Sequence, residues 1–230
     1  MGRYEKAWQV ARQRIADAAS AAGRPPDSVR LLAVSKTFPP AAIRAVHALG
    51  QRAFGENYVQ EARFKHDELG DLDLEWHLIG PLQSNKARAA ATGFDWIETI
   101  DRPRIAERLA AARAGMPPQD VLVQVNASGE ATKSGVAPAA AVALARHVST
   151  LPNLRLRGIM GIPEAAADAT ALRAQFRRLR QCYEACIDAG LPVDTLSMGM
   201  SADLELAIAE GATEVRVGSA IFGARDNARG

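Results

Sequence analysis

Leu31-Leu32-Ala33-Val34-Ser35-Lys36-Thr37-Phe38-Pro39-Pro40 is the stretch from which the fold reads outward. A continuous apolar run stopped by paired prolines marks a strand buried on both faces. The lysine at its carboxyl end lies where α/β folds gather their ligands. Desolvation there favours the neutral amine, a nucleophile toward aldehydes. Two readings of Lys36 stand at this point. It is a Schiff-base lysine, or a strand-end residue whose stem packs while its ammonium reaches water.

Similar runs recur at 52–55, 75–79, 95–100, 120–126, 155–160, 193–198 and 214–217, after the first at 30–35. Helical patterns fill the gaps at 40–49, 57–68, 84–91, 102–113, 138–149, 168–189, 202–210 and 219–224. Gly50, Gly93, Gly115, Gly190 and Gly211 stand where helix C-caps belong. The helix over 168–189 carries Leu172, Phe176, Leu179, Tyr183 and Ile187 along one side. Ahead of the first strand, residues 3–22 form an amphipathic helix with Tyr4, Trp8, Ala11 and Ile15 on one face.

Eight strand–helix alternations with short links predict eight parallel strands, hence an α/β fold: a single (β/α)8 TIM-type barrel with an extra N-terminal helix. An open doubly wound sheet would want a glycine-rich first turn, where Ser35-Lys36-Thr37-Phe38 stands. The expected organisation is one domain over 1–230. Residues 1–29 form the helix and lead-in, 30–224 the barrel and 225–230 a tail.

Lys and Arg number 28 against 26 Asp and Glu, so the net charge is +2. The basic residues are spread along the chain beside acids, which argues against a nucleic-acid surface. No stretch approaches the ~20 apolar residues of a membrane span, and the N-terminus lacks the apolar core of a signal peptide. Cys182 and Cys186 lie four apart on a helix, poor geometry for a disulfide, and the four histidines show no metal-site spacing. Reduced thiols suit the cytoplasm.

In barrels of this kind, ligands bind on the loops that follow the strands, and phosphates often sit after strands seven and eight. Both of those loops carry glycine followed by serine, in Gly199-Met200-Ser201 and Gly218-Ser219. Either pair cradles an anion at a helix N-terminus, or each serine merely caps its helix. Arg216 alternates with Val215 and Val217 in a mid-barrel strand. It meets a ligand, or it points at the helix layer and pairs with Glu214 or Glu205. Asn57 is a ligand donor or an N-cap, and His77 a satisfied core histidine or a catalytic one. Pro81 through Lys86, in the loop after strand three, sets polar groups at a helix start, beside a ligand or simply as caps. Ser128 through Gly135 is either a loop long enough to move over a site or a solvated turn. A lysine, an interior arginine and a phosphate cradle together fit a phosphate-bearing aldehyde such as pyridoxal 5′-phosphate (PLP). A Schiff-base aldolase acting on sugar phosphates shares the first and third features.

Segments spanning nearly the whole chain closely resemble the pyridoxal phosphate homeostasis protein family, relatives of the alanine racemase barrel domain. They are residues 32–37, Phe54-Gly55-Glu56-Asn57-Tyr58-Val59-Gln60-Glu61, residues 76–86, Gly158-Ile159-Met160, residues 196–201 and 215–223. Gly161 is a mild departure, standing where relatives often carry another residue. The resemblance implies that Lys36 holds PLP as a Schiff base and that Arg216 meets the pyridine nitrogen. It implies Ser201, Gly218 and Ser219 around the phosphate and Asn57 beside the ring. It further implies a cytosolic protein that binds and buffers or delivers PLP, with no settled catalysis and with PLP-dependent apo-enzymes as possible recipients. The competing enzyme reading is an amino-acid racemase of low activity. An arginine at the pyridine nitrogen weakens the ring as an electron sink, and racemisation also wants a second acid/base opposite the lysine. Only Tyr58 among the tyrosines is near the expected site, so a carrier is the better reading. The expected state is a monomer.

Overall fold

The alternation closes on itself. In the computed structural model, which describes residues 2–128, 134–164 and 168–224, eight parallel strands pair in chain order around a closed barrel. They are β1 Arg30–Val34, β2 Ala53–Glu56, β3 Glu75–Leu78, β4 Trp96–Ile100, β5 Gln119–Val125, β6 Leu154–Gly161, β7 Thr195–Met200 and β8 Glu214–Val217. β8 closes against β1 with Arg30 opposite Glu214 and Leu32 opposite Arg216.

Helices follow each strand: α2 Pro40–His47, α3 Val59–Glu68, α4 Ala87–Gly93, α5 Pro103–Ala112, α6 Ala141–Thr150, α7 Ala169–Asp188, α8 Leu204–Ala209 and α9 Ser219–Phe222. Proline at the first turn of α2 and α5 costs no hydrogen bond, because that N–H has no helical partner anyway. The leading helix α1, Arg3–Ala21, packs across α2, α8 and α9. It buries Trp8, Ala11 and Ile15, and Trp8 Nε1 donates to Gln51 Oε1 (3.1 Å).

Side chains alternate across each strand. Ala33, Leu78, Ile97, Val121, Leu196, Val215 and Val217 join the main core between sheet and helices. The opposite face is the barrel interior, where small apolar clusters (Leu32, Val34, Ala53, Ile79; and Trp96, Leu122, Met160) share space with charged groups.

Two local expectations are corrected. Gly93 is the last residue of α4 and not a left-handed cap; the chain turns extended at Phe94, whose ring is buried. On α7 the buried side runs Phe176, Leu179, Cys182, Cys186, while Ile187 is 48% exposed. The expected stripe averaged 3.75 residues per turn, so by Ile187 it had rotated off the core face. Much of the Ser128–Gly135 loop, residues 165–167 of the alanine-rich loop and the tail after Ala224 lie outside the described residues. Among those described, no helix is long and apolar enough to cross a membrane.

Candidate functional site: a lysine, an arginine and a serine-lined turn

At the carboxyl ends of the strands a cavity of about 650 Å³ opens, within the ~300–1,000 Å³ usual for small-molecule sites. Lys36, Asn57, Ser201, Arg216, Gly218 and Ser219 all line it. Val34, Phe38, Ile79, Pro81, Ile162 and Met200 supply apolar walls.

Lys36 leaves β1 between two tightly held neighbours. Ser35 Oγ donates to Glu56 Oε1 (2.5 Å), and the Ser35 carbonyl accepts from Lys65 Nζ (2.9 Å). Thr37 has φ +70°, a left-handed conformation that costs a β-branched residue about 1–3 kcal/mol. Its N–H donates to Glu61 Oε1 (2.5 Å). Lys65 Nζ also binds Glu56 Oε1 and Glu61 Oε1, both at 2.7 Å, so a nearly buried ion pair backs the lysine turn. Burial raises the Glu56 carboxyl pKa, against the pull of Lys65. Lys65 escaped the sequence reading because Glu61 and Lys65, four apart on α3, look like a solvated surface pair.

Asn57 does not cap α3; Tyr58 occupies that position, without a side-chain cap. A Cβ on Gly80 would lie 2.1 Å from the Asn57 carbonyl oxygen, so only glycine lets the β3 loop pass close and fix Asn57. The serines are not simple caps of their own helices either. Asp203 precedes α8, and Ser219 is the first residue of α9. Ser201 Oγ instead accepts from the Gly218 N–H (3.2 Å) and the Ala220 N–H (3.3 Å), tying the two turns together. Two backbone donors and two hydroxyls thus cluster on one wall. Arg14 of α1 braces this wall, donating to the Ser201 carbonyl (3.1 Å) while pairing with Glu205 (2.7 Å).

Arg216 is 3% exposed and lies inside the barrel, not against the helix layer. Nη1 donates to Ser197 Oγ (2.8 Å) and Nη2 to the Gly161 carbonyl (2.7 Å). Glycine at 161 suits this chain, since a Cβ there would lie 2.3 Å from the Leu179 side chain. Burial lowers the Arg216 pKa, opposed by the charges of Glu98, Glu214 and Asp203.

Of the acids that accompany it, the sequence pointed only to Glu214; Glu98 and Glu75 were missed. Ser197 Oγ donates to Glu98 Oε2 (2.7 Å), and Glu98 Oε1 meets His77 Nδ1 (2.7 Å). His77 Nε2 meets Glu75 Oε1 (2.7 Å), which pairs with Arg30 Nη2 (2.5 Å). Burial opposes charge on His77, yet its two carboxylate partners win and raise its pKa to about 9. For Glu75, burial raises the pKa, but His77 and Arg30 pull it down to about 2. Glu98 is also held below its ordinary value by His77 and Arg216, against its burial. Burial and the Glu98 charge push Glu214 up to about 7; neither of its oxygens has a hydrogen-bond partner, and Arg30 Nε is 3.8 Å away. His77, Glu98 and Glu214 approach closely enough for a cation, but both imidazole nitrogens are spent on carboxylates. Strand alternation assigns Glu98 and His77 to the inner face, as it does Arg216, but only the closed barrel buries that face. In a strand whose alternate positions face helices, the others can only point inward.

A lysine, an arginine and a serine-lined turn thus meet in one cavity at the carboxyl end of a closed eight-stranded parallel barrel, the arrangement of a ligand-binding (β/α)8 protein. The family model described as alanine racemase, N-terminal domain, matches residues 9–226. A pyridoxal phosphate homeostasis protein from Pseudomonas aeruginosa is 60% identical, over 93% of this chain and 92% of its own length. Its counterpart from Escherichia coli is 53% identical over 94% of each chain. This chain belongs to the pyridoxal phosphate homeostasis protein family. PipY of Synechococcus elongatus, solved with PLP bound, superposes with a TM-score of 0.80 at 44% identity, covering 91% of this chain and all of that one.

Proposed function

We propose that this protein binds pyridoxal 5′-phosphate covalently and reversibly and serves intracellular PLP homeostasis as a carrier, not as an enzyme. The observation that carries the reading is the convergence of six residues on one cavity of suitable size. Lys36 offers its amine to the aldehyde carbon. Ser201, Gly218 and Ser219 surround the phosphate, Asn57 borders the ring and Arg216 faces the pyridine nitrogen. When bound, PLP supplies an electrophilic carbon and an electron-withdrawing ring. Opposite a guanidinium, that ring nitrogen stays unprotonated and withdraws electrons weakly.

The lining supports the carrier reading over the racemase one. Among the described residues that line the cavity, only Lys36 and Arg216 are ionisable. Tyr58, the tyrosine nearest the site in sequence, is 60% exposed and does not line the cavity. Proton abstraction from both faces of an amino acid therefore lacks a second group. The close relatives carry the name of homeostasis proteins, and the PLP-bound relative supports the ligand. We take the working form as a cytosolic monomer that hands PLP to apo-enzymes.

The test is incubation of PLP-loaded protein with individual amino acids in deuterated water. The carrier reading expects no α-proton exchange at enzyme-like rates of ~1–10³ s⁻¹; exchange at such rates would establish an enzyme. A protein that neither binds PLP nor turns yellow, but cleaves sugar phosphates, would restore the aldolase reading.

A further inference from the structure

The interior of this barrel is charged where barrels of this fold are usually filled by branched apolar side chains. From Arg216 a single file of short hydrogen bonds runs down through Ser197, Glu98, His77 and Glu75 to Arg30, crossing five of the eight strands. The direction of each bond follows from chemistry. A guanidinium can only donate, so Ser197 Oγ accepts from Arg216 and must give its own proton to Glu98. With Glu98 Oε2 taken by Ser197, Oε1 meets His77, whose other nitrogen meets Glu75. His77 with a carboxylate at each ring nitrogen is an imidazolium donating on both sides. No link in this file can reverse without leaving a buried charge unsatisfied, which is costly.

We propose that Ser197, Glu98 and His77 are positioning residues that hold the Arg216 guanidinium in one orientation, with its remaining N–H groups turned to the cavity. Nη1 is spent on Ser197 and Nη2 on the Gly161 carbonyl, so the plane of the guanidinium is set by two strands other than its own. A long, flexible side chain is thereby pre-organised before any ligand arrives, which lowers the ordering cost of binding. Glu214, 1% exposed and on the same inner face of β8 as Arg216, adds an acid beside the file, 3.8 Å from Arg30 Nε. Which ligand atom meets Arg216 rests on the PLP reading above; the orientation of Arg216 does not.

Ser197→Ala removes one oxygen from the file and leaves Lys36 and the cavity lining intact. The probes are PLP titration by absorbance, and nitrogen-15 NMR of the arginine side chains, with Arg216 assigned by loss of its signals in Arg216→Lys. The parent should show separate, slowly exchanging guanidinium signals for Arg216. Ser197→Ala should collapse them by rotational averaging, shift the absorbance of bound PLP and weaken its binding about tenfold. Ser197→Thr, which keeps the hydroxyl, should restore both. Glu98→Gln, which keeps the shape and removes the charge, should shift the spectrum in the same direction. Arg216 signals already averaged in the parent, or unchanged in both Ser197→Ala and Glu98→Gln, would overturn the positioning role. A parent with ordered Arg216 that takes up no PLP would overturn the functional reading while leaving the positioning role standing.

Discussion

Lys36 owes its setting to residues that never line the cavity. Lys65 is 2% exposed and its ammonium joins Glu56, Glu61 and the Ser35 carbonyl. Lys65→Met is expected to destabilise the protein by roughly 3–5 kcal/mol in urea unfolding, because the Glu56 carboxylate is left buried without its counter-charge. The double change Lys65→Met with Glu56→Leu should recover part of that loss; an equal or larger loss would show that packing, not charge, dominates there. Single residues were legible in the sequence where a loop follows a strand, as at Lys36, Asn57 and Ser219, since the fold itself selects those positions. Glu98 and Lys65 were not legible. An acid in Trp96-Ile97-Glu98-Thr99-Ile100 and a lysine on a polar helix both read as solvated, and only the barrel's closure buries them.

Elements were legible to within a few residues because the apolar runs and the prolines bounding them are local signals. What they did not carry was how α1 meets the barrel. Trp8 ties to Gln51, and Gln51 Nε2 in turn donates to the Leu31 (2.9 Å) and Ala53 (2.8 Å) carbonyls at the start of β1 and β2. These partners lie more than 20 residues from Trp8, beyond any periodicity. Trp8→Ala should therefore cost about 3–5 kcal/mol, the range for emptying a buried aromatic site, read as a lower denaturation midpoint. A change under 1 kcal/mol would mean that α1 is an appendage.

The whole molecule was recognisable from eight alternations, but its charged interior was not, and that interior sets the response to pH. Folding raises the His77 pKa from 6.5 to about 9. Its contribution is thus complete below pH 6.5 and lost as pH rises through 9. Glu214, raised from 4.5 to about 7, acts in the same sense at lower pH, its contribution disappearing as pH climbs through 7. Glu75, lowered from 4.5 to about 2, opposes both; its contribution is present above 4.5 and lost as pH falls toward 2. Unfolding free energy should accordingly drop by roughly 3 kcal/mol between about pH 6.5 and pH 9. His77→Gln should flatten that part of the curve, and an unchanged slope in the variant would assign the loss elsewhere.

Everything proposed for the cavity turns on Lys36 as the tether of PLP. Parent and Lys36→Ala proteins, each mixed with PLP, reduced with borohydride and digested for mass spectrometry, test it most directly. The parent should be yellow, with the pyridoxyl mass on the peptide carrying Lys36. The Lys36→Ala protein should fold, matched in circular dichroism, and carry no adduct at the cavity. An adduct retained by folded Lys36→Ala at a cavity residue, or a parent modified anywhere but Lys36, would contradict it.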